Sequence, residues 1–170
     1  MQKGFYIDLS RCTGCEACTT SCMSWNNLEV GMRWMRVISM ETGKYPDVKV
    51  VTVPISCRHC ADPKCIKACP EDAINKRLED GIVLVDRSKC TGCRQCLSAC
   101  PFGAPQFGED GLLQMCNFCL DRTEKGLDPV CMEACPMRAL YAGTTEELSR
   151  IASGRAAKKL AGTIDRSFLM

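Results

Sequence analysis

The residues in this sequence that are most able to do chemistry are its sixteen cysteines, which are spaced most regularly between residues 90 and 101. Four of them follow one another with two, two and three residues between them, and proline comes directly after the last: Cys90, Cys93, Cys96, Cys100 and Pro101. Cysteine thiolates are soft ligands that suit iron–sulfur clusters. With this spacing the first three thiolates hold one cubane cluster, and the fourth reaches a second. The run therefore predicts two neighbouring 4Fe–4S clusters.

Zinc is the alternative metal for such a run, because two Cys-x-x-Cys pairs are enough for a tetrahedral zinc site. A zinc site gives no reason for the fourth cysteine or for the proline after it, so the spacing favours an iron–sulfur cluster. The residues between the ligands agree, since Thr91 and Gly92 are small enough for the backbone to come close to a cluster. We expect Cys100 to open a short helix that Pro101 ends.

The cysteine run is one of four similar motifs. Motif one spans residues 12–22, motif two 57–69, motif three 90–100 and motif four 116–135, and each contains four cysteines. Motifs one and three match in their surroundings, for example Asp8 with Asp86 and Gly14 with Gly92. Motifs two and four share an Asp-Pro pair and an alanine before the last cysteine. The order A-B-A-B indicates that a two-motif unit was duplicated.

Two hairpins are predicted between the motifs. Residues 35–40 and 48–53 are β-like and flank a turn marked by glycine and proline. Residues 73–77 and 82–86 flank a Glu-Asp-Gly turn and predict a second, shorter hairpin. The shorter hairpin joins motif two to motif three, which is the usual linkage of a two-cluster ferredoxin.

Other signals predict a strand and two helices. Motif one ends in Met23 where the other motifs have proline, so its helix is expected to run on through Trp25. A short strand is expected at residues 139–141. Thr144 and Glu147 then fit a capping box that starts a helix.

The chain after this helix start is basic, with Arg155, Lys158, Lys159 and Arg166. A solvated face is the default interpretation of these charges. Docking onto a partner protein or onto lipid headgroups is the alternative.

The hairpin linkage assigns the motifs to modules. Motifs two and three are predicted to form a continuous module at residues 49–112, and motifs one and four a split module at residues 1–48 and 113–155, followed by a basic tail at 156–170. The expected fold class is α+β: two ferredoxin-like two-cluster modules, irregular and loop-rich, with the continuous module inserted in the split one. Within each module, the fourth cysteine of one motif is expected to bind the cluster held by the first three cysteines of the other motif, and this gives the ligand sets. They are Cys12, Cys15, Cys18 and Cys135; Cys116, Cys119, Cys131 and Cys22; Cys90, Cys93, Cys96 and Cys69; and Cys57, Cys60, Cys65 and Cys100.

Four complete quartets predict four 4Fe–4S clusters, with no three-iron centre and no iron site open to a substrate. Clusters of this kind pass single electrons, and no catalytic residue is expected beside them. The sequence contains no Walker or dinucleotide-binding glycine loop. His59, the single histidine, is interpreted as a packed loop residue rather than one that tunes a cluster.

Composition limits the remaining possibilities. Charged residues are 25% of the 170, with a net charge of +2, so there is no bulk attraction to nucleic acid or membrane. The density of cysteine would also suit a secreted disulfide scaffold. Residues 1–8 show no apolar signal core, however, so we expect folding in reducing cytosol, or export in the folded state with a partner. No stretch is long and apolar enough to span a membrane.

Residues 4–15, 100–107 and 134–140, together with the four ordered motifs, resemble a known family. It is the four-cluster iron–sulfur subunit of dimethyl sulfoxide reductase and related molybdopterin oxidoreductases, and the resemblance covers residues 4–155. It implies a non-catalytic electron-transfer subunit that lies between a large molybdenum- or tungsten-bis-pterin catalytic subunit and, often, a membrane anchor subunit. It also implies that the motif-one cluster faces the catalytic subunit, with a path through motifs four and three to two.

Three alternatives stay open. The chain could serve a formate dehydrogenase, hydrogenase, carbon monoxide dehydrogenase or tungsten aldehyde oxidoreductase complex. It could also be a free polyferredoxin that shuttles between enzymes. The third alternative is a zinc-dependent interaction module.

Overall fold

The computed structural model describes residues 1–163, which form a mixed α and β fold of short elements. The strands are β1 (Lys3–Ile7), β2 (Arg36–Thr42), β3 (Lys49–Ile55), β4 (Ile74–Lys76), β5 (Val83–Val85), β6 (Gln106–Phe107), β7 (Leu113–Gln114) and β8 (Leu140–Thr144). The helices are α1 (Ala17–Trp25), α2 (Lys64–Lys67), α3 (Gln95–Ala99), α4 (Leu120–Thr123), α5 (Val130–Glu133) and α6 (Thr145–Thr163). In this part of the chain the strands form two-stranded antiparallel sheets: β1–β8, β2–β3, β4–β5 and β6–β7. Arg166 of the predicted basic tail lies outside the described residues.

Both predicted hairpins are confirmed. β2 and β3 pair from Arg36 opposite Ile55 outward to the turn, and β4 and β5 form the shorter hairpin around the Glu-Asp-Gly turn. Each turn contains a glycine with positive φ, Gly43 at 93° and Gly81 at 71°. Because glycine reaches this region without steric cost, it allows the chain to reverse between the two strands.

β1 and β8 join the N-terminal part of the chain to its C-terminal part. Tyr6 lies opposite Tyr141 in the register of this sheet. The pairing is extended by the N–H of Asp8, which donates to the carbonyl of Ala139 at 2.8 Å. The strand predicted after motif four is therefore confirmed, and its partner is the first strand of the chain.

The helices of the cysteine motifs agree with the prediction at one position and differ at another. α1 does run on through Trp25. The prediction that Cys100 opens a helix was wrong, because α3 begins after Arg94 and ends before Cys100, which is extended at φ −89° and ψ 114°. The physical reason is that Pro101 disfavours the helical region for the residue before it.

The predicted capping box begins α6. The N–H of Glu147 donates to Thr144 Oγ1 at 3.2 Å, and the N–H of Thr144 donates to the Glu147 carboxylate at 2.8 Å. Leu148 and Ile151 are half-buried, and α6 contacts both β1 and β8. The helix therefore covers this sheet, and it continues past residue 155 to Thr163.

The core is built from cysteines and apolar side chains together. One buried group contains Cys57, Cys96 and Cys116 with Ile74, Val83, Ala104, Leu113 and Met115. The other contains Cys18, Cys22 and Cys131 with Met35 and Leu140. Phe5 and Trp34 pack against both groups. Within residues 1–163, no helix has the length and apolar character needed to cross a membrane.

Candidate metal centres

Two of the predicted quartets each line a cavity that is partly open to solvent. Cys12, Cys15, Cys18 and Cys135 line one of about 320 Å³, closed by apolar side chains that include Val37, Pro54 and Leu140. Cys69, Cys90, Cys93 and Cys96 line another of about 300 Å³, closed by Phe107 and Leu113 among others. In each case the structure brings the last cysteine of one motif to the first three cysteines of a different motif.

The third predicted quartet gathers around Cys57. Burial, together with the nearby sulfurs of Cys65, Cys60 and Cys100, raises the pKa of the Cys57 thiol to about 12. The backbone N–H of His59 opposes this effect by donating to the Cys57 sulfur at 3.5 Å. Cys100, from motif three, is thus brought to the three cysteines that open motif two.

The remaining quartet contains the most deeply buried sulfurs. Burial raises the pKa of Cys131, and Cys119 and Cys22 add to the effect. Burial also raises the pKa of Cys116 well above its ordinary value, with further contributions from Cys131, Cys57 and Cys22. The structure therefore brings Cys22 of motif one to the cysteines of motif four. Cys57 lies near enough to Cys116 for the two sulfurs to interact.

The donor groups around the sulfurs fit iron–sulfur clusters. Backbone N–H groups donate to cysteine sulfurs of several motifs: Phe118 to Cys116 at 3.4 Å, Leu113 to Cys90 at 3.4 Å, Ala104 to Cys100 at 3.4 Å and Ala139 to Cys135 at 3.3 Å. Such hydrogen bonds favour the thiolate over the thiol. Burial opposes ionisation of four clustered thiols, and bound iron removes that obstacle because a metal-coordinated thiol is deprotonated.

Single-ion binding has a different geometry. No group of three or more Cys, His, Asp or Glu side chains in residues 1–163 is arranged to hold one metal ion. Two of the sulfur quartets instead lie around cavities, as ligands of a multi-atom cluster do.

The ligand loops repeat their backbone conformations. Glu16 and Arg94, which precede α1 and α3, have φ values of 56° and 63°. His59 and Phe118, each directly before the second cysteine of its motif, have φ values of 46° and 63°. Residues other than glycine seldom adopt positive φ. Its recurrence at matching positions agrees with duplication of a two-motif unit.

His59 lies between motifs two and four. It is 1% exposed, and its Nδ1 accepts the N–H of Val83 at 3.0 Å, while Nε2 has no partner among the described residues. Its ring meets Phe118 edge-on at 5.3 Å between centroids and lies 6.2 Å from Phe5. Burial lowers the pKa of His59 to about 4, so the ring is neutral at pH 7. The packed-residue interpretation of His59 agrees with this burial.

Sequence analysis missed the contact that these aromatic side chains make between the two halves of the cysteine array. Phe5 also packs against Phe118, with the rings tilted by 44° and 4.7 Å between their centroids. The signal for the contact was present in the repeats, because His59 and Phe118 occupy the same place in motifs two and four. Repeats of that kind suggest residues related by a pseudo-twofold axis, which meet when they lie close to it.

Comparison with known proteins agrees with the site. A family model described as a 4Fe-4S dicluster domain matches residues 48–145, and one described as a 4Fe-4S binding domain matches residues 9–24. This protein belongs to the 4Fe–4S dicluster family of iron–sulfur subunits. Its role is electron transfer within an oxidoreductase complex, and it is not itself the catalytic chain.

Three relatives show the range of the family. The chain is 42% identical over 158 residues to a chain of the anaerobic dimethyl sulfoxide reductase of Escherichia coli (strain K12), covering 88% of this chain and 77% of the relative. It is 36% identical over 168 residues to a subunit of the sulfite dehydrogenase of Allochromatium vinosum, covering 86% and 70%. It is also 36% identical over 182 residues to the formate dehydrogenase iron–sulfur subunit of Wolinella succinogenes, covering 94% and 90%.

Proposed function

We propose that the chain holds four 4Fe–4S clusters and relays single electrons between a molybdenum- or tungsten-bis-pterin catalytic subunit and a membrane anchor or another redox partner. The observation that carries the proposal is the grouping of the sixteen cysteines into four sulfur quartets. Each bound cluster would take up and release one electron. The protein's own part is to fix the sulfurs, exclude water with apolar side chains and donate N–H groups to the thiolates.

The proposed ligand sets are those predicted from the cysteine spacing. The contacts between helices support their division into a continuous and a split module. α2 of motif two contacts α3 of motif three, while α1 of motif one contacts α5 of motif four. The β1–β8 pairing supports the split module further, since it ties the two ends of that module together.

The contacts favour an order of clusters different from the one that the family resemblance implies. Cys57 of motif two interacts with Cys116 of motif four, so the clusters of these two motifs are neighbours. Cys15 of motif one and Cys93 of motif three are the exposed cysteines. We therefore propose the order motif one, four, two, three, with the outer clusters nearest to the redox partners.

A second candidate keeps the relay and changes the catalytic partner. The relative from Wolinella succinogenes, a formate dehydrogenase subunit, is matched over 94% of this chain. A formate dehydrogenase partner is therefore the alternative to a dimethyl sulfoxide reductase partner. Both use the same four-cluster relay in this chain.

Anaerobic purification of the complex from its native host, followed by elemental analysis, tests the proposal. We expect about sixteen iron atoms per chain, and molybdenum or tungsten in the same complex. About eight iron atoms per chain would reject the four-cluster assignment. Full iron loading on a chain that never co-purifies with molybdenum or tungsten would reject the catalytic partner and favour a free polyferredoxin.

A further inference from the structure

A basic groove lies between α6 and the β1–β8 sheet, and the relay proposed above makes no use of it. Its empty volume is about 1630 Å³, and its charged and aromatic lining consists of Tyr6, Asp8, Arg11, Tyr141, Arg150, Arg155, Lys158 and Lys159. We propose that this groove, called the basic groove below, binds an acidic peptide segment of the partner subunit, rich in Asp and Glu. The inference rests on the proposed function, because it names the contact that would hold the relay to its partner.

Charge is concentrated in the basic groove. Five cationic side chains and one carboxylate give it a net charge of +4, whereas the whole chain has a net charge of +2. The rest of the molecule is therefore slightly acidic. A concave surface of one sign on such a molecule attracts and orients a partner of the opposite sign.

One of the five cations is already engaged. Arg155 forms an ion pair with Asp8, donates to the Tyr141 hydroxyl and lies over the Tyr141 ring at 4.9 Å. This contact anchors α6 to the sheet and shapes the floor of the basic groove. Asp8, the single carboxylate of the lining, is thereby neutralised.

The other four cations are available to a ligand. Arg11, Arg150, Lys158 and Lys159 form no ion pair within residues 1–163. Arg150 does exert an attraction on Glu147, but that carboxylate is held by the capping box of α6. Four unpaired cations around one concave surface repel one another, and an acidic ligand would relieve that repulsion.

The shape of the groove favours a peptide over a membrane surface. A helix that lies on a bilayer needs an exposed apolar face. The apolar side chains Leu148 and Ile151 are half-buried, and among residues 145–161 of α6 the large exposed apolar side chain is Leu160. The groove instead presents the Tyr6 ring and several cations to an extended chain, while Arg155 covers the Tyr141 ring.

The position of the groove fits a contact near the end of the relay. Ser10 and Arg11, which line it, directly precede Cys12 of motif one. An acidic segment bound there would place its own subunit next to the motif-one cluster. Docking and electron exchange with that subunit would then occur on one side of the molecule.

The test uses a fluorescent Glu-rich peptide, with a Gln-rich peptide of equal length as control, and anaerobically purified chain with its clusters. The variant Lys158→Glu/Lys159→Glu reverses two groove cations. The matched variant Lys44→Glu/Lys49→Glu reverses two exposed lysines of the β2–β3 hairpin, with the same change in net charge. Lys158→Gln/Lys159→Gln removes these two of the five groove cations without adding carboxylates, and should weaken peptide binding less than the reversal does. Fluorescence anisotropy measures binding at low and at physiological salt.

We expect the groove reversal to weaken binding of the Glu-rich peptide at least about tenfold, and the hairpin reversal to change it less than about twofold. Wild-type binding should weaken as salt rises, and the Gln-rich peptide should not bind. Equal losses in the two reversal variants would overturn the proposal, since the attraction would then be general. Sedimentation with phosphatidylglycerol vesicles, without peptide binding, would assign the groove to lipid headgroups instead.

The same samples separate this inference from the proposed function. Iron content and the EPR spectrum of the reduced protein should be equal in all variants, because none of the changed residues lies in a sulfur quartet. If wild-type protein with its full iron content does not bind the peptide, the proposal for the basic groove is wrong and the proposed electron relay is unaffected. A protein that binds the peptide and never associates with a molybdenum or tungsten subunit rejects the partner and leaves the groove.

Discussion

Cys69 shows how the sulfur ligands are divided between motifs. It belongs to motif two in sequence, yet it lines the same cavity as Cys90, Cys93 and Cys96 of motif three. Replacing Cys69 by serine should therefore damage the motif-three cluster, because an oxygen ligand replaces one of its four sulfurs. EPR spectra and iron content after anaerobic purification would measure the loss.

Cys65 provides the matched control for this prediction. It has the same chemistry and lies in the same motif, but it interacts with Cys100 and Cys60. Serine at position 65 should affect the motif-two cluster. The ligand exchange is refuted if the Cys69 and Cys65 variants damage the same cluster.

Gly92 shows why motif three needs glycine between its first two ligands. Its φ is +69°, and a Cβ added there would lie 2.6 Å from the carbonyl oxygen of Gly111. Replacing Gly92 by alanine should therefore cost both the strain of positive φ, about 1–2 kcal/mol, and a backbone clash of about 1–3 kcal/mol. A lowered thermal midpoint and a lowered iron content of the purified protein would show both effects.

A substitution at Gly111 distinguishes the strain of positive φ from the backbone clash. Its φ is +75°, but a Cβ there would meet no atom within 4 Å. Alanine at position 111 should thus show the strain alone and leave cluster content unchanged. Equal losses in the two variants would mean that the close approach of the two loops contributes nothing.

At the scale of single elements, α6 depends on its first turn. Thr144→Ala removes the hydroxyl that accepts the Glu147 N–H at 3.2 Å, and loss of such a cap costs about 1 kcal/mol. Hydrogen exchange measured by mass spectrometry should show faster exchange in the first turns of α6. Ser149→Ala, an exposed change on the same helix, should leave the exchange unchanged, and faster exchange there would show that the cap is not the cause.

Elements with local signals could be predicted from the sequence. The β2–β3 and β4–β5 hairpins have apolar strands and turn residues close together in the chain, and the α6 cap needs only Thr144 and Glu147. The pairing of β1 with β8 has no local signal, because its two strands lie at opposite ends of the described chain. The two-residue strands β6 and β7 are too short to produce a pattern.

The candidate metal centres likewise have features that could be predicted from the sequence and features that could not. Covalent spacing determines which cysteines can share a loop, so the membership of each motif was readable from the sequence. The approach of Cys57 to Cys116 depends on packing of Phe5, His59 and Phe118 between distant segments. No spacing rule contains that information. The path through motif three before motif two, which the family resemblance implies, differs from the order that the approach of Cys57 to Cys116 favours.

At the scale of the whole molecule, the proposed order of clusters predicts which ones interact magnetically. In the reduced protein, the clusters of motifs two and four should broaden each other's EPR signals, because they are neighbours. Cys119→Ser, which removes a ligand of the motif-four cluster, should narrow the motif-two signal. Power-saturation and line-width measurements on the reduced protein would detect the change.

The outer position Cys93 gives the control. Serine there should disturb the motif-three cluster and leave the motif-four signal unchanged, because the order places motif two between them. Narrowing of the motif-three signal in the Cys119 variant would instead support a path from motif four to motif three.

The pairing of β1 with β8 also sets the order in which the two modules can assemble during synthesis. During synthesis, motif one emerges first. In the proposed ligand sets, however, its cluster also needs Cys135, and Cys22 is a ligand of the motif-four cluster. Neither cluster can therefore be complete before motif four has been synthesised. The quartets of motifs two and three are complete once Cys100 has emerged. The continuous module can therefore receive its iron first. The split module closes last, when β8 pairs with β1 and completes the sheet. A chain interrupted before residue 140 would contain the motif-two and motif-three end of the relay and would lack the strand that closes the split module.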